Sequence, residues 1–246
     1  SNASRRDRAS RTLASPGVSL GRIAARTPAE ASAAIDKILS WERSGGFDRE
    51  PYYSFLVDDA DGAGDFPADA ASLAMLASAS GPSQIVQHAG DLAATRAEAQ
   101  RLFAVQGSLL TYLGHGATGQ LMSEGAVTVQ DLLGDWLPQN EVPPVLAALT
   151  CIAGRFEVPA SSSIADQAVL SAGGGAIAAL AAGGTTQHRS SVLLAEALIE
   201  SLASSRHERL GDLLLAARAR YLSSGADPRD LETVHLFGDP ALRLSD

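Results

Sequence analysis

Short, almost wholly apolar runs recur along the chain, separated by stretches whose apolar residues return every three or four positions. The runs include YYSFLV, SLLTYL, PPVLAAL and GGAIAALAA, with the more polar SQIVQ as a further strand; between them lie PADAASLAMLASAS, DLAATRAEAQRLFAVQ and SSIADQAVLSA. An apolar run of roughly four to eight residues suits a strand covered on both faces, and a 3.6-residue period suits a helix. Their alternation predicts an α/β fold with a mainly parallel sheet. The first helix is marked by RTPAEASAAIDKILSWERSGG: Thr27 as N-cap, Pro28 at the first position, Glu30 completing a capping box, and Gly45-Gly46 as the stop. Ile35, Ile38 and Leu39 are predicted to share one face. TVQDLLGDWL reads as a short helix, SSVLLAEALIESLASS and RHERLGDLLLAARARYLSS as two longer ones, and LETVHLFGDPALRL as a closing strand and turn.

Composition narrows this picture. The chain has 246 residues, 46% hydrophobic and 19% charged, which suits one large domain or two small ones. Ser1-Asn2-Ala3 reads as an expression remnant, and the basic, Ser-rich stretch up to Gly17 as an arm or a cut edge, so residues 1–17 are set apart from a folded unit at 18–246. The net charge of −9 argues against general nucleic-acid binding. No apolar run continues unbroken for the ~18 residues of a membrane span. The lone Cys151 excludes an internal disulfide and a multi-cysteine zinc site.

In a parallel sheet the working residues gather beyond the carboxyl ends of the strands. Three such ends carry reactive groups: Asp58-Asp59, His115 within Gly114-His115-Gly116, and Cys151. An imidazole takes a thiol proton, the thiolate attacks a carbonyl carbon, and the imidazolium protonates the leaving amine. The amides of Gly116 and Cys151 are candidate oxyanion donors, and Asp59 the candidate acid that orients the histidine. Each residue also has a plainer role open to it. A single cysteine suits a small buried hydrophobe, and His115 suits a turn. Asp58, Asp59, Asp61 and Asp65 suit a solvated loop, with a structural calcium ion as the lesser alternative because their spacing is not that of an EF-hand. His88, His207 and His235 read as structural, and His188 as a rim residue. SAGGGAIAALAAGG lacks the endings of a phosphate-binding loop.

Taken together, GRIAARTPAEASAAIDKILSWE, LLTYLGHG, LAALTCIAGRF, GGGAIAAL and LFGDPALRL resemble, in order, the catalytic region of the gingipain-type cysteine peptidases of the caspase-like clan, over roughly residues 18 to 244. The resemblance implies a caspase-like three-layer sandwich and a cysteine-type endopeptidase with a His115–Cys151 dyad. It implies oxyanion donors at Gly116 and Cys151, and Asp59 as the acid beside the histidine. By position Asp69, with Asp65 behind it, matches the acid that receives a basic P1 side chain. The chain departs from the family pattern in three places. Asp59 is a methylene shorter than the usual acid, Arg155 stands where an acidic residue is common, and AGGTTQHRSS has His188 where basic-selective members carry tryptophan. The resemblance further implies a protein or peptide substrate, no cofactor for the chemistry, an extracellular or cell-surface setting, and a missing N-terminal subdomain. The alternatives are a catalytically silent binding or maturation scaffold and a more distant caspase-clan protease.

Overall fold

The apolar runs lie side by side in one sheet. The structure is a computed structural model that describes residues 18–47, 51–159, 161–204 and 209–244. The arm at 1–17 and His207 lie outside the described residues. In chain order the elements are β1 (Gly21–Arg22), α1 (Pro28–Ser44), β2 (Tyr52–Val57), α2 (Phe66–Ala77), β3 (Ser83–Gln87), α3 (Leu92–Phe103) and β4 (Ser108–Leu113). Then come the short β5 (Gly116–Ala117), β6 (Gln120–Leu121) and β7 (Val127–Thr128), followed by α4 (Val129–Leu133), β8 (Val145–Ala148) and α5 (Ile164–Leu170). The chain closes with β9 (Ala178–Ala182), α6 (His188–Ser204), α7 (Leu210–Ser223) and β10 (Val234–Phe237).

The main sheet has the order β1-β10-β9-β8-β4-β2-β3. From β9 to β3 all neighbours are parallel, and β10 runs antiparallel to β9. Strands β2, β4, β8 and β9 are buried on both faces apart from Tyr52 at the start of β2, which is why their sequences show no polar alternation. One face packs on Phe66 and Leu73 of α2, Leu194 and Leu198 of α6, and Leu213 and Tyr221 of α7. The other packs on Leu102 and Phe103 of α3, Leu132 of α4, and Ile164 and Val169 of α5. Helix, sheet and helix are thus the three layers of the expected sandwich. β5, β6 and β7 form a separate antiparallel sheet beyond β4 that the sequence pattern does not predict.

Helix α1 starts and stops where expected: Thr27 accepts the Glu30 N–H, and Gly45 ends it at φ 88°. The Glu30 carboxylate accepts the Arg26 N–H at 2.6 Å. The inward stripe, however, is Ala34, Lys37, Ile38 and Trp41, while Ile35 and Leu39 are exposed. The stripe keeps helical spacing, but a lysine occupies a core position. Its Nζ donates to the carbonyls of Ser171 at 2.9 Å, Gly174 at 3.0 Å and Ala168 at 3.4 Å, just where α5 ends and leaves carbonyls without helical partners. Its aliphatic stem supplies the apolar surface.

Burial lowers the Lys37 amine from 10.5 to about 7. Between those values the unfolded chain binds the extra proton, so this group's contribution to stability rises with pH. Urea denaturation of wild type and Lys37→Met at about pH 7 and about pH 9 should show their difference moving toward the wild type by about 2 kcal/mol. A difference independent of pH would mean that the amine stays charged inside.

Candidate active site

Strands β8, β4 and β2 are neighbours, so Cys151, His115 and Asp58 emerge side by side at one edge of the sheet. Asp58 is buried. Its Oδ2 accepts the His115 N–H and its Oδ1 the Asp59 N–H, both at 3.0 Å. Burial pushes the Asp58 carboxyl above its usual value, and these two N–H bonds oppose the shift. The approach is so close that a Cβ on Gly114 would lie 2.3 Å from the Asp58 Cβ, and Gly114 has φ 151°. Tyr112 completes the clamp: its hydroxyl donates to the His115 carbonyl at 2.5 Å and accepts the Met122 N–H at 2.9 Å. Burial, reinforced by the Asp58 charge, holds that phenol well above its ordinary value, so it remains a donor.

The histidine loop is also tied to the cysteine turn. Thr150 Oγ1 donates to the Gly114 carbonyl at 2.6 Å, and a Cβ on Gly116 would fall 2.4 Å from Thr150 Cγ2. The two glycines around His115 are therefore contact positions, one against Asp58 and one against Thr150.

The imidazole itself is half-exposed. Its Nε2 lies 2.8 Å from Asp61 Oδ2, and its ring meets Phe66 edge-on at 5.6 Å. Asp61 is held by the Ala63 N–H, which donates to its Oδ1 at 2.8 Å. That bond, followed by the one with His115, lowers its carboxyl below the ordinary range. The acid beside the histidine is therefore Asp61; Asp59, the residue expected there, is exposed and its side chain makes no bond to His115. Side chains alternate as the chain leaves β2, so Asp58 points inward and Asp59 away. The turn at Asp61 to Gly64 then brings Asp61 back over the ring.

Cys151 is half-buried. Its sulfur contacts Thr186: 3.4 Å from the backbone N, 3.7 Å from the carbonyl O and 3.8 Å from Oγ1. No direct hydrogen bond joins it to His115. Among the described residues the Cys151 N–H has no acceptor, as an oxyanion donor requires. Ile152 adopts φ 47°, a strained value for a β-branched residue, and its N–H donates to the Gly184 carbonyl at 2.9 Å.

Asp69 and His188 meet directly, with Oδ2 and Nε2 2.6 Å apart. Phe66 packs edge-on against the His188 ring at 4.6 Å, so one phenyl ring separates the two histidines. Asp65 caps α2, accepting the Ala68 N–H at 3.1 Å, and is occupied at the helix start. Arg155 pairs with Glu157 at 3.0 Å on the surface. Asp58, Asp61, Asp65 and Asp69 thus have separate partners, and among the described residues no group of three or more His, Cys, Asp and Glu is placed to hold a metal ion. His88 is buried, with Nδ1 2.8 Å from Thr95 Oγ1, and His235 packs on Phe156. Asp61 and Thr186 are the site residues the sequence did not single out. Asp61 stood in the acidic loop as one of four; Thr186 carried no signal.

A family model described as Peptidase family C25 matches residues 7–245. In shape the chain is similar to the Arg-specific cysteine proteinase gingipain R, with TM-score 0.76 and 16% identity, over 91% of this chain and 54% of that one. It is also similar to the complex of Porphyromonas gingivalis RgpB pro- and mature domains, with TM-score 0.78 and 16% identity, over 92% and 56%. A third structure, described as a protease, gives 0.72 at 12% identity over 91% and 55%. The chain spans little more than half the length of these structures. No curated protein matches by sequence. Among the described residues no helix is long and apolar enough to cross a membrane. These likenesses identify the fold as caspase-like, and the match along nearly the whole sequence places the chain in Peptidase family C25, a family of cysteine peptidases.

Proposed function

We propose that residues 18–246 are the caspase-like domain of a cysteine endopeptidase whose nucleophile is Cys151 and whose general base is His115. The observation that carries this reading is the direct tie between the two loops, Thr150 Oγ1 on the Gly114 carbonyl, which holds histidine and cysteine on one edge. With Nε2–H donated to Asp61, His115 keeps Nδ1 as its basic nitrogen. Nδ1 takes the thiol proton, the thiolate attacks the scissile carbonyl, and the Cys151 and Gly116 amides receive the oxyanion. The imidazolium then protonates the leaving amine, and water hydrolyses the thioester. The substrate is a protein or peptide, and the setting is extracellular or at the cell surface, as for the family the sequence resembles. A silent scaffold is the second reading, favoured by the sulfur's contact with Thr186 in place of His115.

Asp69 is the acid available to a basic P1 side chain, but His188 already donates to one of its oxygens. We therefore place His188 as a brake on selectivity for arginine and lysine.

Two sets of variants test this on fluorogenic peptides. Cys151→Ala and His115→Ala should lower kcat/KM by about 1000-fold or more; Asp61→Asn should lower it by about 10- to 100-fold, and Asp59→Asn by less than about threefold. Equal effects at Asp59 and Asp61 would remove Asp61 from its role. In a P1 series, His188→Ala should raise the ratio of Arg over Leu cleavage by about tenfold and Asp69→Ala should lower it. A ratio unmoved by both changes would rule out this pocket.

A further inference from the structure

We propose that Thr186 holds the Cys151 thiolate, its backbone N–H and hydroxyl receiving the charge once the proton has left. The inference rests on Cys151 being the nucleophile. Because no direct hydrogen bond joins the sulfur to His115, the imidazolium alone does not hold the anion, and the thiolate needs donors of its own. All of the polar contacts of Sγ among the described residues are with Thr186.

The contact fits both protonation states. A neutral thiol donates to the Thr186 carbonyl at 3.7 Å. When S–H breaks and the proton moves to His115 Nδ1, the carbonyl loses its donor. The N–H at 3.4 Å and the hydroxyl at 3.8 Å then point the right polarity at the sulfur. Two bonds fasten the loop to the segment that follows the cysteine: Ile152 N–H donates to Gly184 O at 2.9 Å, and Gly154 N–H to Ala182 O at 2.8 Å. Thr186 also runs directly into α6, whose first turn closes with Ser191 N–H on the Gln187 carbonyl at 3.0 Å. The positive end of that helix dipole favours an anion beside it.

Among the described residues Asp59 and Arg189, the latter in the first turn of α6, form no salt bridge; the other charged groups beside the site are engaged elsewhere. His115 beyond β4 pairs with Asp61 from the β2–α2 loop, and His188 on α6 with Asp69 on α2. Arg155 after the cysteine pairs with Glu157, and buried Asp58 accepts the His115 and Asp59 amides. Thr186 is the neighbour with donors aimed at sulfur.

The test is the pH profile of Cys151 alkylation by iodoacetamide, read by mass spectrometry in wild type, Thr186→Val, Thr186→Ala and Thr186→Ser, with circular dichroism to verify folding. Thr186→Val and Thr186→Ala should slow alkylation near pH 6 by about 3- to 10-fold and shift the midpoint upward, while Thr186→Ser tracks wild type. Val and Ala profiles that overlay the wild type overturn the proposal. So does a Ser profile shifted as far as Val, or a Cys151 that the reagent never reaches. A shifted profile without peptide cleavage would support Thr186 while counting against the peptidase reading. Cleavage with an unshifted profile would do the reverse.

Discussion

The edge that carries the candidate active site hangs on one buried carboxylate. Asp58 sits where β2 ends and grips the backbone of His115, which follows the neighbouring strand. Without that bond Gly114 has no reason to approach so closely, and Thr150 loses the carbonyl on which it anchors. Ionised Asp58 is not free of cost. Burial raises its folded-state value above the unfolded one, so the group favours folding at low pH and opposes it as pH rises through the folded value. The two N–H bonds offset part of that cost. A buried carboxylate with partly compensated charge is the expense of fixing a backbone where a side chain must act.

The acids that follow divide the work by geometry. Asp58 turns inward and fixes backbone. Asp59 turns outward. Asp61 returns over the imidazole, Asp65 caps α2, and Asp69 one turn later reaches His188. A stretch that reads as one acidic loop is thus a set of separate contacts around Phe66, whose ring touches both histidines. Gly64 belongs to the same packing, since a Cβ there would fall 2.2 Å from the His188 ring.

Much of this was legible in the sequence because the strands are short, buried on both faces and framed by capped helices. Thr27, Asp91 and Ser163 cap the helices that their sequences predict. The three reactive strand ends were legible for the same reason: once the strands are right, the parallel sheet brings their carboxyl ends together. The inward face of α1 was not, because Lys37 is buried by carbonyls of α5 and its following turn, distant in sequence, and Ile35 and Leu39 face out. β1, β5, β6 and β7 are two residues each and too short to carry a period. Between Asp59 and Asp61 the choice depended on the path of a turn. Thr186 meets Cys151 only through the placement of the β9–α6 loop.

The central claim is that His115 activates Cys151 to attack a carbonyl carbon. Its most direct test is labelling by peptidyl acyloxymethyl ketones of varied P1, read by mass spectrometry of the intact chain and its fragments. One covalent adduct is expected, on Cys151, with its rate sharply reduced in His115→Ala. A series in which no peptide labels Cys151, while iodoacetamide alkylates the same folded protein, would contradict this role for His115 and Cys151.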